Sequence, residues 1–326
     1  MGRKVLTALV LIVIALAIVY ALGPRVDRDS TVAFDPASIG SDPAAYLAAQ
    51  EATVAKIRDG LQKEIIWADP AARAKTPVSV VYIHGFSASK GEVRPLPDNV
   101  AKALGANLYY TRLAGHGQDG PAMATATLKA WMNDVAEALA IGRAIGDKVI
   151  VMATSTGGSL TAVALARPDL AKDVAAAILV SPNFRVQASG AWLLTGPWGQ
   201  QIAELIGGKE RGFEPPSDLV ARLWTTRYPM AATLPMAAAV DTAGKVDAAA
   251  IKTPALFVFS EKDQVVDPEA TKAMAERWGA PHEIVTVAGA EDPSSHVIAG
   301  DAFSPSQTAP LTEKILQWLK GLGVGG

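Results

Sequence analysis

The chain begins with an apolar stretch unlike anything after it. Residues 5–22 carry no charge and contain only one threonine and one tyrosine among aliphatic side chains. As a helix, this stretch is long enough to span the hydrocarbon of a bilayer. Because Arg3 and Lys4 precede this stretch, the positive-inside tendency predicts a cytoplasmic N-terminus and an extracytoplasmic domain. We therefore predict a membrane anchor over residues 1–23. The alternative is a cleaved signal peptide, since residues 19–21 loosely fit a small-x-small cleavage site, although signal cores usually span only about 7 to 15 residues.

Residues 24–63 are predicted to form a linker followed by one surface helix. The linker, residues 24–40, is polar, contains proline and lacks periodicity, as is typical of an irregular connection. The helix is predicted to start at Ser41-Asp42-Pro43, where a capping side chain precedes a proline of the first turn. Its apolar residues recur at near-helical spacing until Gly60, which is predicted to end it.

From residue 64 to residue 322, short β-branched runs alternate with helical periodicities. The clearest run is 77–83, which is β-branched and unbroken, as in strands buried on both faces. The predicted strands lie at 64–67, 77–83, 107–113, 148–153, 175–180, 255–260 and 283–287. The predicted helices lie at 97–104, 128–145, 157–166, 268–278 and 311–322. This alternation predicts an α/β domain with a mainly parallel sheet covered by helices on both faces, followed by a flexible tail over 323–326.

One interval, residues 182–253, breaks the alternation between two predicted core strands. It is rich in methionine and aromatic residues and holds three of the seven tryptophans, Trp192, Trp198 and Trp224. An apolar insertion of this kind predicts a helical cap that roofs a pocket with adaptable side chains. The alternative is an extension of the core with no role in ligand binding.

Composition excludes several classes of protein. Half of the 326 residues are hydrophobic, which excludes a disordered chain, and the absence of cysteine excludes disulfide scaffolds, thiolate metal centres and cysteine nucleophiles. The 30 Lys and Arg against 32 Asp and Glu give a net charge of −2, which offers no broad basic field for nucleic acid. With only four histidines, a metal site made of histidine alone is not expected.

The sharpest chemical signal is a strand that runs directly into a turn of small residues and then a helix. Residues 149–158 read VIVMATSTGG, the setting of a nucleophile elbow, in which a serine hydroxyl projects from a tight turn. The residues two positions either side must be small, and Ala153 and Gly157 meet this condition. Ala153 replaces the first glycine of the usual G-x-S-x-G pattern. We therefore predict that Ser155 is a nucleophile rather than a capping serine.

A serine nucleophile needs a base and an orienting carboxylate. His296 lies in the loop after the last predicted strand, and Asp263 lies just beyond the strand 255–260. The order Ser155, Asp263, His296 is that of nucleophile, acid and base in α/β-hydrolase arrangements. The rival acids are Glu261, Asp267, which precedes a proline as a helix cap would, and Asp292, which precedes a proline as a turn residue would.

Stabilising the oxygen of an acyl intermediate requires fixed hydrogen-bond donors. The loop that follows strand 77–83 begins His84-Gly85-Phe86, where such a donor belongs. We predict an oxyanion hole formed by the backbone N–H groups of Phe86 and Thr156. His84 and His116 are predicted to hold loop geometry, because His84 as the base gives the wrong chain order.

These motifs together resemble an α/β-hydrolase of the monoacylglycerol lipase and serine aminopeptidase-like group. The resemblance covers about residues 64–322 and also includes the run 112–117 and the Ser-His-Val sequence at 295–297. It implies an α/β-hydrolase fold with a cap, no cofactor and hydrolysis of carboxylic esters or, less often, amides. The residues that correspond to the family's site are Ser155, Asp263 and His296, with Phe86 and Thr156 as oxyanion donors.

The expected function is therefore that of a membrane-anchored serine hydrolase acting on an acyl ester, with lipidic substrates suggested by the anchor. Three alternatives remain open. A peptidase-like amidase would need carboxylates to hold a substrate amine, and the predicted cap offers Glu204, Glu210, Glu214 and Asp218. An acyltransferase would use the same three residues, and a noncatalytic binding module would retain the fold without the activity.

Overall fold

The computed structural model describes residues 2–325; Met1 and Gly326, the outer ends of the predicted anchor and tail, lie outside that range. The first helix, α1 (Gly2–Ala21), has no buried residue and a mean hydropathy of 2.6. Among the described residues, it is the one helix with the length and composition to cross a membrane. A signal sequence has the same properties.

The remaining elements follow the predicted alternation. The helices are α2 (Pro43–Ala52), α3 (Leu96–Ala103), α4 (Gly120–Met123), α5 (Leu128–Ile145), α6 (Thr156–Leu165), α7 (Pro168–Ala171), α8 (Gly199–Gly207), α9 (Asp218–Leu223), α10 (Thr233–Gly244), α11 (Pro268–Glu276) and α12 (Pro305–Gly321). The strands are β1 (Glu64–Ile66), β2 (Thr76–Ile83), β3 (Asn107–Tyr110), β4 (Gly146–Thr154), β5 (Val174–Val180), β6 (Glu210–Gly212), β7 (Arg227–Pro229), β8 (Ala255–Phe259) and β9 (His282–Thr286).

Seven strands form one mainly parallel sheet in the order β1-β3-β2-β4-β5-β8-β9. Only the edge strand β1 runs antiparallel, against β3. Strands β2, β4, β5 and β8 occupy the centre, so their carboxyl ends open onto one edge of the sheet. In open parallel sheets this edge is where ligands bind. The predicted α/β class and the mainly parallel sheet are confirmed.

Helices bury both faces of the sheet, which explains why its strands are continuously hydrophobic. On one face, Val81 and Ile83 of β2 join a core cluster with residues of α5, α6, α10 and α11. On the other face, Val80 and Tyr82 of the same strand pack with residues of α3 and α12. Alternate residues of one strand therefore stabilise two separate cores.

The interval 182–253 contains α8, the two-stranded β6–β7 sheet, α9 and α10. Helix α10 packs on α6, and its Ala238, Ala239 and Ala243 are buried in the first core cluster. The earlier part of the interval, in contrast, has few buried residues. The insertion thus combines a core helix with a more exposed segment over the carboxyl end of the sheet.

The segment before β1 differs from its predicted form. Helix α2 is capped by Asp42, as predicted, but ends at Ala52 rather than near Gly60. Beyond this helix the chain contacts the domain, where the backbone N–H of Arg58 donates to the carbonyl of Gly117 at 2.8 Å. The linker also contacts the domain, since Arg28 donates to Asp241 at 2.7 Å.

Candidate active site

Ser155 lies at the junction of β4 and α6, in the turn that the sequence predicts. Its backbone has φ 52° and ψ −119°, a conformation that costs free energy for a residue with a Cβ. Close packing maintains this turn: a Cβ added to Gly157 would lie 2.3 Å from the carbonyl oxygen of Ile83. Ala153 is fully buried and pairs with Ile83 in the sheet. Small residues at 153 and 157 therefore let strand and helix close around the serine.

The loops after β8 and β9 bring Asp263 and His296 together. Nδ1 of His296 donates to Oδ2 of Asp263 at 2.7 Å, and both residues are buried. The other carboxylate oxygen, Oδ1, accepts from the backbone N–H groups of Val265 at 2.8 Å and Val266 at 2.9 Å. The carboxylate is thus fixed by its own turn and holds the imidazole with Nε2 free to accept a proton.

The electrostatic surroundings favour a protonatable imidazole at position 296. Burial alone would lower the pKa of His296, but the hydrogen bond and negative charge of Asp263 outweigh it. The charges of Glu92 and Asp292 act in the same direction, so the pKa lies above the ordinary value of 6.5. The ring is therefore a stronger base than a free imidazole.

The three rival acids have other contacts. Asp292 accepts from the backbone N–H groups of His296 at 3.0 Å and Val297 at 2.8 Å, so it shapes the histidine loop as a turn residue. Asp267 caps α11, as predicted, and also pairs with an arginine. Glu261 pairs with Lys272. Of the four candidates, Asp263 is the one whose side chain meets the imidazole.

Ser155 and His296 open onto a common cavity of about 600 Å³. In residues 2–325 the serine hydroxyl makes no hydrogen bond with the histidine ring, a contact that in many hydrolases tightens only when substrate binds. The cavity wall is mostly apolar. Its aromatic and aliphatic lining residues are Phe86, Val186, Phe213, Pro216, Trp224, Tyr228, Met236, Val265, Pro293, Val297 and Phe303.

The two predicted oxyanion donors, Phe86 and Thr156, also border this cavity. Across the described part of the chain, neither backbone N–H has a hydrogen-bond acceptor. Next to Phe86, the backbone N–H of Ser87 donates to Nε2 of His116 at 3.0 Å. The loop is therefore fixed beside Phe86 while its N–H stays available to a ligand.

Comparison with known proteins places the chain in a family. Residues 80–303, well over half of the chain, match the alpha/beta hydrolase family. The chain belongs to the alpha/beta hydrolases. The resemblance inferred from its motifs is confirmed at this level.

Individual relatives of this alpha/beta hydrolase include lipases. A thermostable monoacylglycerol lipase of Bacillus sp. (strain H-257) is 28% identical over 201 residues, which are 62% of this chain and 76% of the relative. A structure from work on the metagenome-derived lipolytic enzymes LipS and LipT has a TM-score of 0.65 and 20% identity, over 82% of this chain and 100% of that one. A soluble variant of the Saccharomyces cerevisiae monoglyceride lipase has a TM-score of 0.58 and 12% identity, over 80% and 91%.

The other histidines of this alpha/beta hydrolase have structural contacts. Nε2 of His84 accepts from the backbone N–H of Leu113 at 3.1 Å, and its Nδ1 donates to the carbonyl of Gly85 at 2.8 Å. Burial lowers the pKa of His84 to about 4 and that of His116 well below its usual range. Both rings are therefore neutral, and His282 lies exposed on β9. His296 is the histidine that faces the cavity.

The prediction from sequence missed one residue at this site, Glu92. It lies between β2 and α3, is buried, and borders the cavity with Ser155 and His296. No local pattern distinguishes it, because a glutamate in a loop between a strand and a helix is usually solvated. Within residues 2–325, no group of three or more histidine, aspartate or glutamate side chains is arranged to hold a metal ion.

Proposed function

We propose that this alpha/beta hydrolase cleaves carboxylic esters through an acyl-enzyme on Ser155. The observation that carries the proposal is the 2.7 Å hydrogen bond between His296 and Asp263, at a cavity that Ser155 also borders. A hydroxyl, an imidazole and a buried carboxylate in this arrangement form an acyl-transfer site.

In the proposed mechanism, Nε2 of His296 accepts the hydroxyl proton as Oγ of Ser155 attacks the ester carbonyl. Asp263 keeps the proton of the imidazole on Nδ1 and stabilises the imidazolium that forms. The negative oxygen of the tetrahedral intermediate accepts hydrogen bonds from the N–H groups of Phe86 and Thr156. His296 then donates its proton to the leaving alcohol, and water activated by the same histidine releases the acid.

The cavity supports an acyl ester with an apolar chain as the substrate. Its wall is dominated by aromatic and aliphatic side chains, which bind hydrocarbon by excluding water. Relatives that are monoacylglycerol lipases support the same assignment. An amidase is less well supported, because Glu214, the acidic residue of the predicted cap that borders the cavity, pairs with Arg227 at 3.2 Å.

The test is hydrolysis by the full-length protein in detergent of p-nitrophenyl esters of increasing chain length, monoacylglycerols and aminoacyl anilides. We expect ester turnover, and we expect Ser155→Ala to lower kcat/KM by at least about 10⁴-fold. Ser306→Ala, at an exposed serine of α12, is the matched control and should retain full activity. Ester turnover by Ser155→Ala at the wild-type rate, or faster turnover of anilides than of esters, would refute the proposal.

We further propose that α1 anchors the domain in a bilayer, with the N-terminus in the cytoplasm and the hydrolase domain outside it. The exposed apolar surface of α1 and the basic Arg3 and Lys4 support this orientation. A reporter enzyme that is active only outside the cytoplasm, appended after the last residue, should be active and should sediment with membranes. An inactive reporter would overturn the orientation, and a soluble one would indicate cleavage.

A further inference from the structure

Glu92 is a buried carboxyl group that the mechanism above does not use. It lies beside the nucleophile: a Cβ added to Gly85 would lie 2.7 Å from Oε1 of Glu92 and 3.1 Å from Cβ of Ser155. The space that a side chain at position 85 would occupy is therefore bordered by both the carboxyl group of Glu92 and the serine. A carboxylate left without hydrogen bonds in such a place would be strongly destabilising, so its partners indicate its role.

The first role suggested by these partners is mechanical. Oε2 of Glu92 accepts from the backbone N–H of Gly85 at 2.8 Å and from the hydroxyl of Tyr82 at 2.9 Å. Gly85 precedes Phe86, and Ser87 on the other side is held by His116. Both neighbours of Phe86 are thus fixed by buried side chains, so the backbone N–H between them is held in place at the cavity. Oxyanion donors are effective only when they are held in place before the reaction.

The second role is electrostatic. The titratable groups that face Glu92 are Tyr82 from β2 and His296 from the loop after β9, and the charges of Glu92 and His296 stabilise one another. Asp263 and Asp292 face the same imidazole. The cations on the loop of Glu92 pair with carboxylates elsewhere: Lys90 with Glu64, and Arg94 with Asp98.

Glu92 titrates in the pH range in which the proposed base, His296, has to accept a proton. Burial raises the pKa of Glu92 to about 7, although the Gly85 N–H, the Tyr82 hydroxyl and the charge of His296 lower it. Its ionisation is therefore coupled to that of the imidazole. An ionised Glu92 favours the imidazolium, the form that His296 takes when it accepts the serine proton.

We propose that Glu92 is a positioning residue of this site, which clamps the Gly85-Phe86 backbone and adds to Asp263 and Asp292 a further carboxylate that favours the protonated form of His296. The inference rests on the proposed function of Ser155 and His296, and it assigns to Glu92 no contact with the reacting atoms.

Two substitutions separate the clamp from the charge. Glu92→Gln keeps an oxygen that can accept from the Gly85 N–H, but it removes the charge. We therefore expect kcat within about 3-fold of the wild-type value and an acid limb of kcat/KM that moves to lower pH. Glu92→Asp keeps the charge but withdraws it from Gly85, so kcat should fall about 10-fold, with KM nearly constant and the acid limb in place. Glu313→Gln, at an exposed glutamate of α12, should change neither quantity.

The titration of His296 can also be followed without substrate. Selective isotope labelling of the four histidines in the full-length protein gives four NMR signals. The signal that is absent from His296→Asn belongs to His296. We expect this signal to titrate at lower pH in Glu92→Gln than in the wild type or in Glu313→Gln. If the wild type hydrolyses no ester, the proposed function fails, while this titration still decides whether Glu92 acts on the imidazole.

Three results would contradict one or both of the roles proposed for Glu92. Identical His296 titrations in the wild type and Glu92→Gln would refute the electrostatic role. Equal losses of kcat in Glu92→Gln and Glu92→Asp, with no change in either pH profile, would make Glu92 a structural residue only. Failure of Glu92→Asp to fold, judged by thermal unfolding, would refute a clamp that is separate from folding, and the His296 titration in Glu92→Gln would still decide the electrostatic role.

Discussion

The floor and the roof of the cavity are built in different ways. The floor consists of buried strand ends and loops, where Ser155, Asp263 and His296 are each less than 10% exposed. The roof comes from the insertion, where Phe213 borders the cavity with 38% exposure and Leu205 nearby in sequence is 87% exposed. The floor is thus held by interlocking contacts, whereas the roof has few of them.

This difference indicates a division of labour within the site. The acyl transfer proposed for this site would require donors and bases held within a fraction of an ångström, and a buried floor is suited to that requirement. Binding an apolar chain requires only area and approximate shape, which a loosely packed roof can provide. We therefore expect substitutions in the floor to change kcat or folding, and substitutions in the roof to change substrate preference.

Among the substitutions that compare the floor with the roof, the largest expected effect is at the carboxylate of the floor. Asp263→Asn removes the charge that stabilises the imidazolium and leaves the histidine in the wrong tautomer, so kcat should fall about 10³- to 10⁴-fold. Asp267→Asn, at the cap of α11, is the matched control and should retain activity within about 3-fold. Steady-state kinetics on a short ester measures both, and equal losses would mean that the acid has been misassigned.

The next effect concerns the turn that carries the serine. Gly157→Ala places a methyl group 2.3 Å from the carbonyl oxygen of Ile83, so it should cost about 2 kcal/mol or more of unfolding free energy and most of the activity. Gly244→Ala, in α10, meets no atom within 4 Å and should be neutral or stabilising by up to about 1 kcal/mol. Chemical denaturation compares the two, and a neutral Gly157→Ala would show that the turn is not tightly packed.

A smaller effect is expected in the roof. Phe213→Ala removes an aromatic wall of the cavity, so KM for a long-chain ester should rise about 10-fold while kcat and the hydrolysis of acetate esters stay nearly constant. Leu205→Ala, also in the insertion but away from the cavity wall, should change KM less than about 2-fold. A loss of kcat in Phe213→Ala would mean that the roof also positions the reacting groups.

The smallest expected effect is a shift in the pH dependence of kcat/KM, caused by the charged groups of the floor. Protonated His296 cannot accept the serine proton, and its pKa is raised above 6.5 despite burial. The higher pKa moves the loss of activity to higher pH, so the acid limb of kcat/KM should have an apparent pKa above 6.5. The profile of a neutral ester substrate measures this, and a limb below 6.5 would contradict the assigned surroundings of the imidazole.

Much of the fold could be predicted from sequence because local and tertiary preferences agree. Helix α5 spans Leu128–Ile145, as its periodicity predicts, and Thr127 caps it. Helix α12 begins at Pro305, six residues before its predicted start, because proline is tolerated in a first turn, and it continues through Pro310, which lies inside the helix. The predicted linker contacts the domain through side chains without regular spacing: Arg28 donates to Asp241, and Val32 and Phe34 pack against the first core cluster.

Residues of the candidate site could be predicted from sequence where they lie at the end of a strand or at the junction of a strand and a helix. Ser155 is marked by a strand, small residues and a helix, and Asp263 and His296 follow strands whose carboxyl ends meet in the sheet. Glu92 carries no such mark, since its burial depends on the Gly85 N–H and the Tyr82 hydroxyl. Those partners become visible only when the loop is folded over the sheet.

The most direct measurement of the central claim is the mass of the full-length protein after treatment with a fluorophosphonate, which reacts with activated serine hydroxyls. The account predicts a single adduct on Ser155, absent from Ser155→Ala and strongly reduced in His296→Asn. An unmodified wild-type protein, or an adduct that persists on another serine in Ser155→Ala, would contradict it.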